Sequence, residues 1–175
     1  APTREADVTS GEGGSLDAEA SVPQSNVPPK SGDTNAKRWF YRGLLIAIVL
    51  FAAVLRIYNL RDLPAGLFCD EAALGYNAWA ISHYGVDENN VKFPLFVWSF
   101  GGYKNPVYIY AAALPIAVLG LDEFSLRLTS VLFGLGTIIA IFYLGRALLS
   151  PWVGLWAAFM LAISPWHLHF SRIAF

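Results

Sequence analysis

Three stretches of this chain, counted with their interfacial ends, are apolar for long enough to build a helix that crosses a lipid bilayer, and that limits the accessible folds more than any other feature. The first is residues 43–55, GLLIAIVLFAAVL. Counted between interfacial ends at Trp39 and Leu60, it gives a helix of ~33 Å at 1.5 Å per residue, enough to span. The second is LTSVLFGLGTIIAIFYLG between Arg127 and Arg146, about 27 Å as a helix. The third lies between Arg146 and His167, with Pro151 placed to open a helix in its first turn. Composition agrees: 55% of the 175 residues are hydrophobic and 14% charged, against about 45–50% and about 25% in soluble domains.

Orientation follows from the flanking charges. Lys37, Arg38 and Arg42 interleave with Trp39, Phe40 and Tyr41 just before the first run. Cations beside a span favour the cytoplasmic side, and Trp and Tyr the headgroup layer. Arg56 then snorkels to the far interface, and residue 61 onward lies outside. Residues 105–121, NPVYIYAAALPIAVLGL, are different. Their apolar heart, Val107 to Leu119, makes only ~20 Å of helix and contains Pro115, so it reads as an embedded or re-entrant helix. That choice leaves Asp122 and Glu123 outside and Arg146 inside.

Residues 1–36 are rich in Ser, Gly, Pro, Ala and acids, too polar to bury a core, and read as a disordered cytoplasmic tail. The fold class expected is therefore all-α: a polytopic membrane helix bundle over residues 37–175, with spans at about 39–60, 127–146 and 149–168. A partly helical extracytoplasmic first loop fills 61–124. The chain opens on Ala1 and closes in apolar sequence at Phe175, so it is expected to be part of a longer protein and inactive alone.

Several classes are disfavoured at once. A net charge of −1 offers no basis for nucleic-acid binding. A single cysteine, Cys69, excludes an internal disulfide framework and a cysteine-based zinc site. No glycine-rich nucleotide loop, nucleophile elbow or HExxH helix occurs. His167-x-His169 has the look of a metal pair, but side chains two apart on a helix point away from each other. No metal site is expected there, and an interfacial belt with Trp166 and Arg172 accounts for the segment.

The chemistry-bearing residues sit in and beside the outer loop. Asp70 and Glu71 interrupt apolar, aromatic sequence soon after the first span and open a helix that runs to Tyr84 and stops at Gly85. A carboxylate there can serve as a general base or hold a divalent cation. It can equally be a helix N-cap with an acid in the first turn, and both readings stand at this stage. Lys104, just ahead of Asn105-Pro106, can bind a lipid phosphate as a point charge or simply snorkel. Arg127 and Arg56 carry the same two readings.

Taken in order, these elements resemble a known family. The first span is followed by LPAGLFCDEAALGYNAWAISHYG, then GGYKNPVYIYAAAL, LDEFSLRLTSVLFGLGT and LAISPWHLHFSRIAF. The set, over roughly residues 43–175, resembles the N-terminal part of the polytopic GT-C glycosyltransferases that use lipid-linked sugars. The nearest branch holds protein O-mannosyltransferases and bacterial aminoarabinose transferases. The resemblance implies transfer of a mannose-like hexose or related sugar from a polyprenyl-phosphate donor to a protein, lipid or glycan hydroxyl. The reaction would occur on the extracytoplasmic face, with inversion at the anomeric carbon. It implies Asp70 as the catalytic base with Glu71 beside it, and Lys104 facing the carrier phosphate; Arg127 and Tyr103 are further candidates for binding that phosphate. No cofactor is implied with certainty, a divalent cation being the one candidate. Asn105 departs from the pattern, since many relatives place proline directly after the lysine, which bears on the orientation of Lys104. The expected setting is a bacterial plasma membrane, crossed several times with the N-terminus cytoplasmic. Two other classes remain open: a transporter or flippase-like protein, in which Asp70 and Lys104 would be ion-path charges, and a non-catalytic scaffold. Charges placed at span ends rather than at mid-membrane speak against transport.

Overall fold

The computed structural model describes residues 31–174. Residues 32–175 form one compact unit; the tail expected over residues 1–36 falls mostly outside the described residues. Its elements are α1 (Ser31–Ile57), α2 (Cys69–Tyr84), β1 (Val97–Ser99), β2 (Gly102–Lys104), α3 (Pro106–Leu119), α4 (Glu123–Leu148), α5 (Pro151–Ile163) and α6 (Pro165–Phe170). Helix thus begins several residues before the cationic cluster, and residues 31–36 form the opening turns of α1.

Two helices are long and apolar enough to cross a membrane, residues Asn35–Ile57 of α1 and all of α4. Both leave large apolar side chains outside the protein interior, among them Ile46, Leu50 and Val54 on α1 and Leu132 and Leu148 on α4. Faces like these fit a hydrocarbon surround rather than water. The third uncharged run is built as two helices. Ser164 precedes Pro165, a position where helical backbone is disfavoured, so α5 stops at Ile163 and Pro165 opens α6. α3 is 14 residues long and has Pro115 in its interior.

The core has two parts that share α4. Toward one end, Leu45, Ile48 and Ala52 of α1 meet Ile138 and Phe142 of α4 and Leu155, Ala158 and Ala162 of α5. Toward the other, Leu74, Ala78 and Ile81 of α2 pack with Val97, with Ile109, Ala112 and Ile116 of α3, and with Leu126 of α4. Contact between α4 and α5 depends on glycine. A Cβ on Gly154 would lie 2.5 Å from the Phe142 carbonyl oxygen, and one on Gly145 would lie 2.8 Å from Gly154 Cα. Small residues at such crossings let backbones approach closely enough to gain dispersion contact where the hydrophobic effect gives nothing.

β1 and β2 pair antiparallel, Val97 with Lys104, Trp98 with Tyr103 and Ser99 with Gly102. Phe100 and Gly101 between them both have positive φ, as the twist of a two-residue hairpin favours. Asn105 then caps α3, its side-chain oxygen accepting from the Val107 N–H at 3.0 Å. The hairpin and this cap deliver Lys104 to the start of α2.

Candidate active site

Asp70 and Glu71 occupy the first turn of α2, but neither is its N-cap. Phe68 holds that position in extended conformation, and its N–H is met by Glu71 Oε2 at 3.2 Å. The cap alternative for Asp70 is therefore replaced: the capping contact comes from Glu71, three residues into the helix, and Asp70 is left to point elsewhere.

Glu71 is only 5% exposed and every direction around its carboxylate is taken. Oε1 accepts from Arg127 Nε at 3.3 Å and from the Ala174 N–H at 2.8 Å; Oε2 accepts from an Arg127 terminal nitrogen at 3.2 Å as well as from Phe68. Arg127, fully buried at the head of α4, also donates to the carbonyls of Leu60, Arg61, Pro64 and Gly66. One planar cation thus ties α4, the loop after α1 and the start of α2 together. Within these contacts Arg127 presents no free donor edge to a lipid phosphate.

Asp70 faces the other way. Its Oδ1 accepts from Lys104 Nζ at 2.5 Å, with the Lys104 side chain 18% and the Asp70 side chain 37% exposed. Oδ2 has no partner among the described residues. Asp70 and Glu71 line a cleft of about 420 Å³ whose walls include Pro64, Gly66, Leu67, Phe68, His169 and Ile173. That volume lies in the range of ligand sites, and the mixture of apolar wall with a few polar groups is typical of them. A carboxylate on a cleft wall, with one oxygen fixed by a cation and the other without a protein partner, can take a proton from a bound hydroxyl. The ammonium beside it can steady an anionic leaving group.

Of the residues singled out from sequence, Asp70, Glu71, Lys104 and Arg127 converge. Tyr103 does not line the cleft. It is 72% exposed and stacks edge-on against its hairpin partner Trp98, centroids 4.9 Å apart, because alternate residues of β2 leave opposite faces. His167 and His169 diverge, as helical spacing requires. His167 Nδ1 lies 2.8 Å from a terminal nitrogen of the buried Arg56; since a guanidinium only donates, the imidazole is the acceptor. Arg56, read from sequence as an interfacial cation, is instead wholly buried and also donates to the carbonyls of Ala52 and Ala162. His169 reaches the cleft that holds Asp70. Its place there was not legible in the H-x-H spacing, which says only that the two rings part. Among the described residues no three His, Cys, Asp or Glu side chains gather as a metal ligand set.

Residues 103–175 match the family model described as dolichyl-phosphate-mannose-protein mannosyltransferase. Neither the curated proteins nor the solved structures include a match to the chain. The matched stretch holds Lys104, Arg127 and His169, while Asp70 and Glu71 precede it. From Tyr103 to Phe175, then, the chain is similar to a family of glycosyltransferases named for a mannose donor carried on dolichyl phosphate.

Proposed function

We propose that this protein is an integral-membrane glycosyltransferase that moves a sugar from a polyprenyl-phosphate donor to an acceptor hydroxyl on the extracytoplasmic face, with Asp70 as base. The observation that carries the reading is the Asp70 carboxylate, which pairs with Lys104 through Oδ1 and lines the cleft. The family similarity over residues 103–175 supports it from an independent direction.

The chemistry balances without a further reactant. The acceptor oxygen attacks the anomeric carbon as the bond from that carbon to the phosphate oxygen breaks, which inverts the centre. The acceptor proton passes to Asp70 Oδ2, and the pair of electrons leaves with the polyprenyl phosphate. That group is already a good leaving group, so it needs a cation rather than an acid, and Lys104 is within reach of the same carboxylate. Glu71 and Arg127 hold the start of α2 in place and thereby aim Asp70.

The test is sugar transfer from polyprenyl-phosphate mannose by the full-length protein in lipid nanodiscs, wild type against Asp70→Asn. Since Phe68 and Glu71 make the cap, this swap leaves the helix start intact. Transfer is expected to fall by 10²-fold or more, the scale of a lost general base. Equal rates would remove Asp70 from the mechanism; a wild type that moves no sugar from mannosyl or other hexosyl and pentosyl donors would overturn the transferase reading.

A further inference from the structure

His169 is the one polar side chain on the cleft besides the two carboxylates. It is exposed there, and among the described residues its ring nitrogens have no hydrogen-bond partner. Its position is nonetheless well fixed. Two residues earlier His167 is bound to the buried Arg56. Three residues later Arg172 donates to the carbonyls of Leu55, Tyr58, Asn59 and Leu63. α6 is thus pinned at both ends against the C-terminal end of α1, and an imidazole with nothing to bind is held at the wall of the cleft.

We propose that His169 is a substrate-contact residue that binds a hydroxyl of the donor sugar in the Asp70 cleft. This rests on the transferase reading and names which part of the donor the cleft takes. A neutral imidazole offers one N–H and one lone pair, which matches a sugar hydroxyl that both donates and accepts. Pro64, Leu67 and Phe68 supply an apolar wall for the carbon–hydrogen face of a pyranose ring, while the phosphate lies on the Lys104 side of Asp70.

The test has two arms on the full-length protein in lipid nanodiscs. In the kinetic arm, His169→Ala is expected to raise KM for polyprenyl-phosphate mannose by about 3- to 10-fold, the scale of one neutral hydrogen bond. kcat should change far less, and His169→Asn should recover part of the loss. Asp70→Asn, in contrast, lowers kcat. An unchanged donor KM in His169→Ala would overturn the proposal. The second arm does not need turnover: diethylpyrocarbonate modification of His169, located by peptide mass spectrometry. Polyprenyl-phosphate mannose is expected to protect His169, and sugar-free polyprenyl phosphate is not. Equal protection by both, or by neither, would overturn the sugar contact. Mannose-specific protection in a protein that transfers nothing would leave the contact standing and sink the transferase reading alone.

Discussion

Asp70 and Glu71 are adjacent, carry the same charge, and end up in opposite circumstances. Successive residues on a helix do not face the same neighbour, so one carboxylate turns inward to Arg127 and the other outward to Lys104 and the cleft. The sequence marked the pair, because two acids in apolar surroundings stand out, but it held no signal for which acid was spent on structure. That depended on Arg127, 56 residues from Glu71. The division has measurable consequences. Arg127→Met leaves a buried carboxylate and several carbonyls without their cation, and is expected to destabilise the fold by about 3–5 kcal/mol. Thermal unfolding in detergent reads this directly, and a change below about 1 kcal/mol would contradict the role assigned to the pair. Lys104→Met should leave the melting temperature nearly unchanged, since its partner is part-exposed and such pairs contribute little. It should still lower transfer by about 10²-fold, as expected for a lost charge stabiliser. Unaltered transfer would separate Lys104 from the chemistry.

At the scale of elements, local signals read well wherever the chain punctuates itself. Gly85, with φ of 69°, ends α2 at the residue expected from sequence, and Pro106 opens α3. Asn105, a departure from the resembled pattern, turns out to be the cap of α3. Asn105→Ala should cost about 1 kcal/mol, and Asn105→Asp should retain the cap; matching melting points for all three forms would deny it. The α4–α5 contact is a harsher test. Gly154→Val places a branched side chain where even a Cβ meets backbone at 2.5 Å. Overpacking of this kind typically costs about 1–3 kcal/mol, and more where backbone must move. A fully stable Gly154→Val protein would mean that the helices do not cross there. The break between α5 and α6 was written in Ser164-Pro165, yet the absence of charge through that run outweighed it and suggested one continuous helix.

For the molecule as a whole, sidedness is the consequence open to a direct check. Cys69 is exposed and is the only cysteine, and it precedes Asp70. If the Asp70 cleft faces outward, a membrane-impermeant maleimide should label Cys69 in intact cells without permeabilisation. Labelling only after permeabilisation would invert the proposed orientation. Charge and hydropathy along the chain were enough to mark membrane-length helices at 39–60 and 127–146, because the cost of a charge in hydrocarbon is paid residue by residue and needs no knowledge of neighbours. The tertiary structure alone decided that Arg56 and Arg127 are interior ties rather than surface cations, that Tyr103 stacks on its hairpin instead of meeting the cleft, and that His169 does meet it. Those outcomes depend on which carbonyls, carboxylates and rings are brought close by segments more than a hundred residues apart, such as Glu71 and Ala174. A hydrogen bond acts over about 3 Å, and no pattern along the chain records that distance.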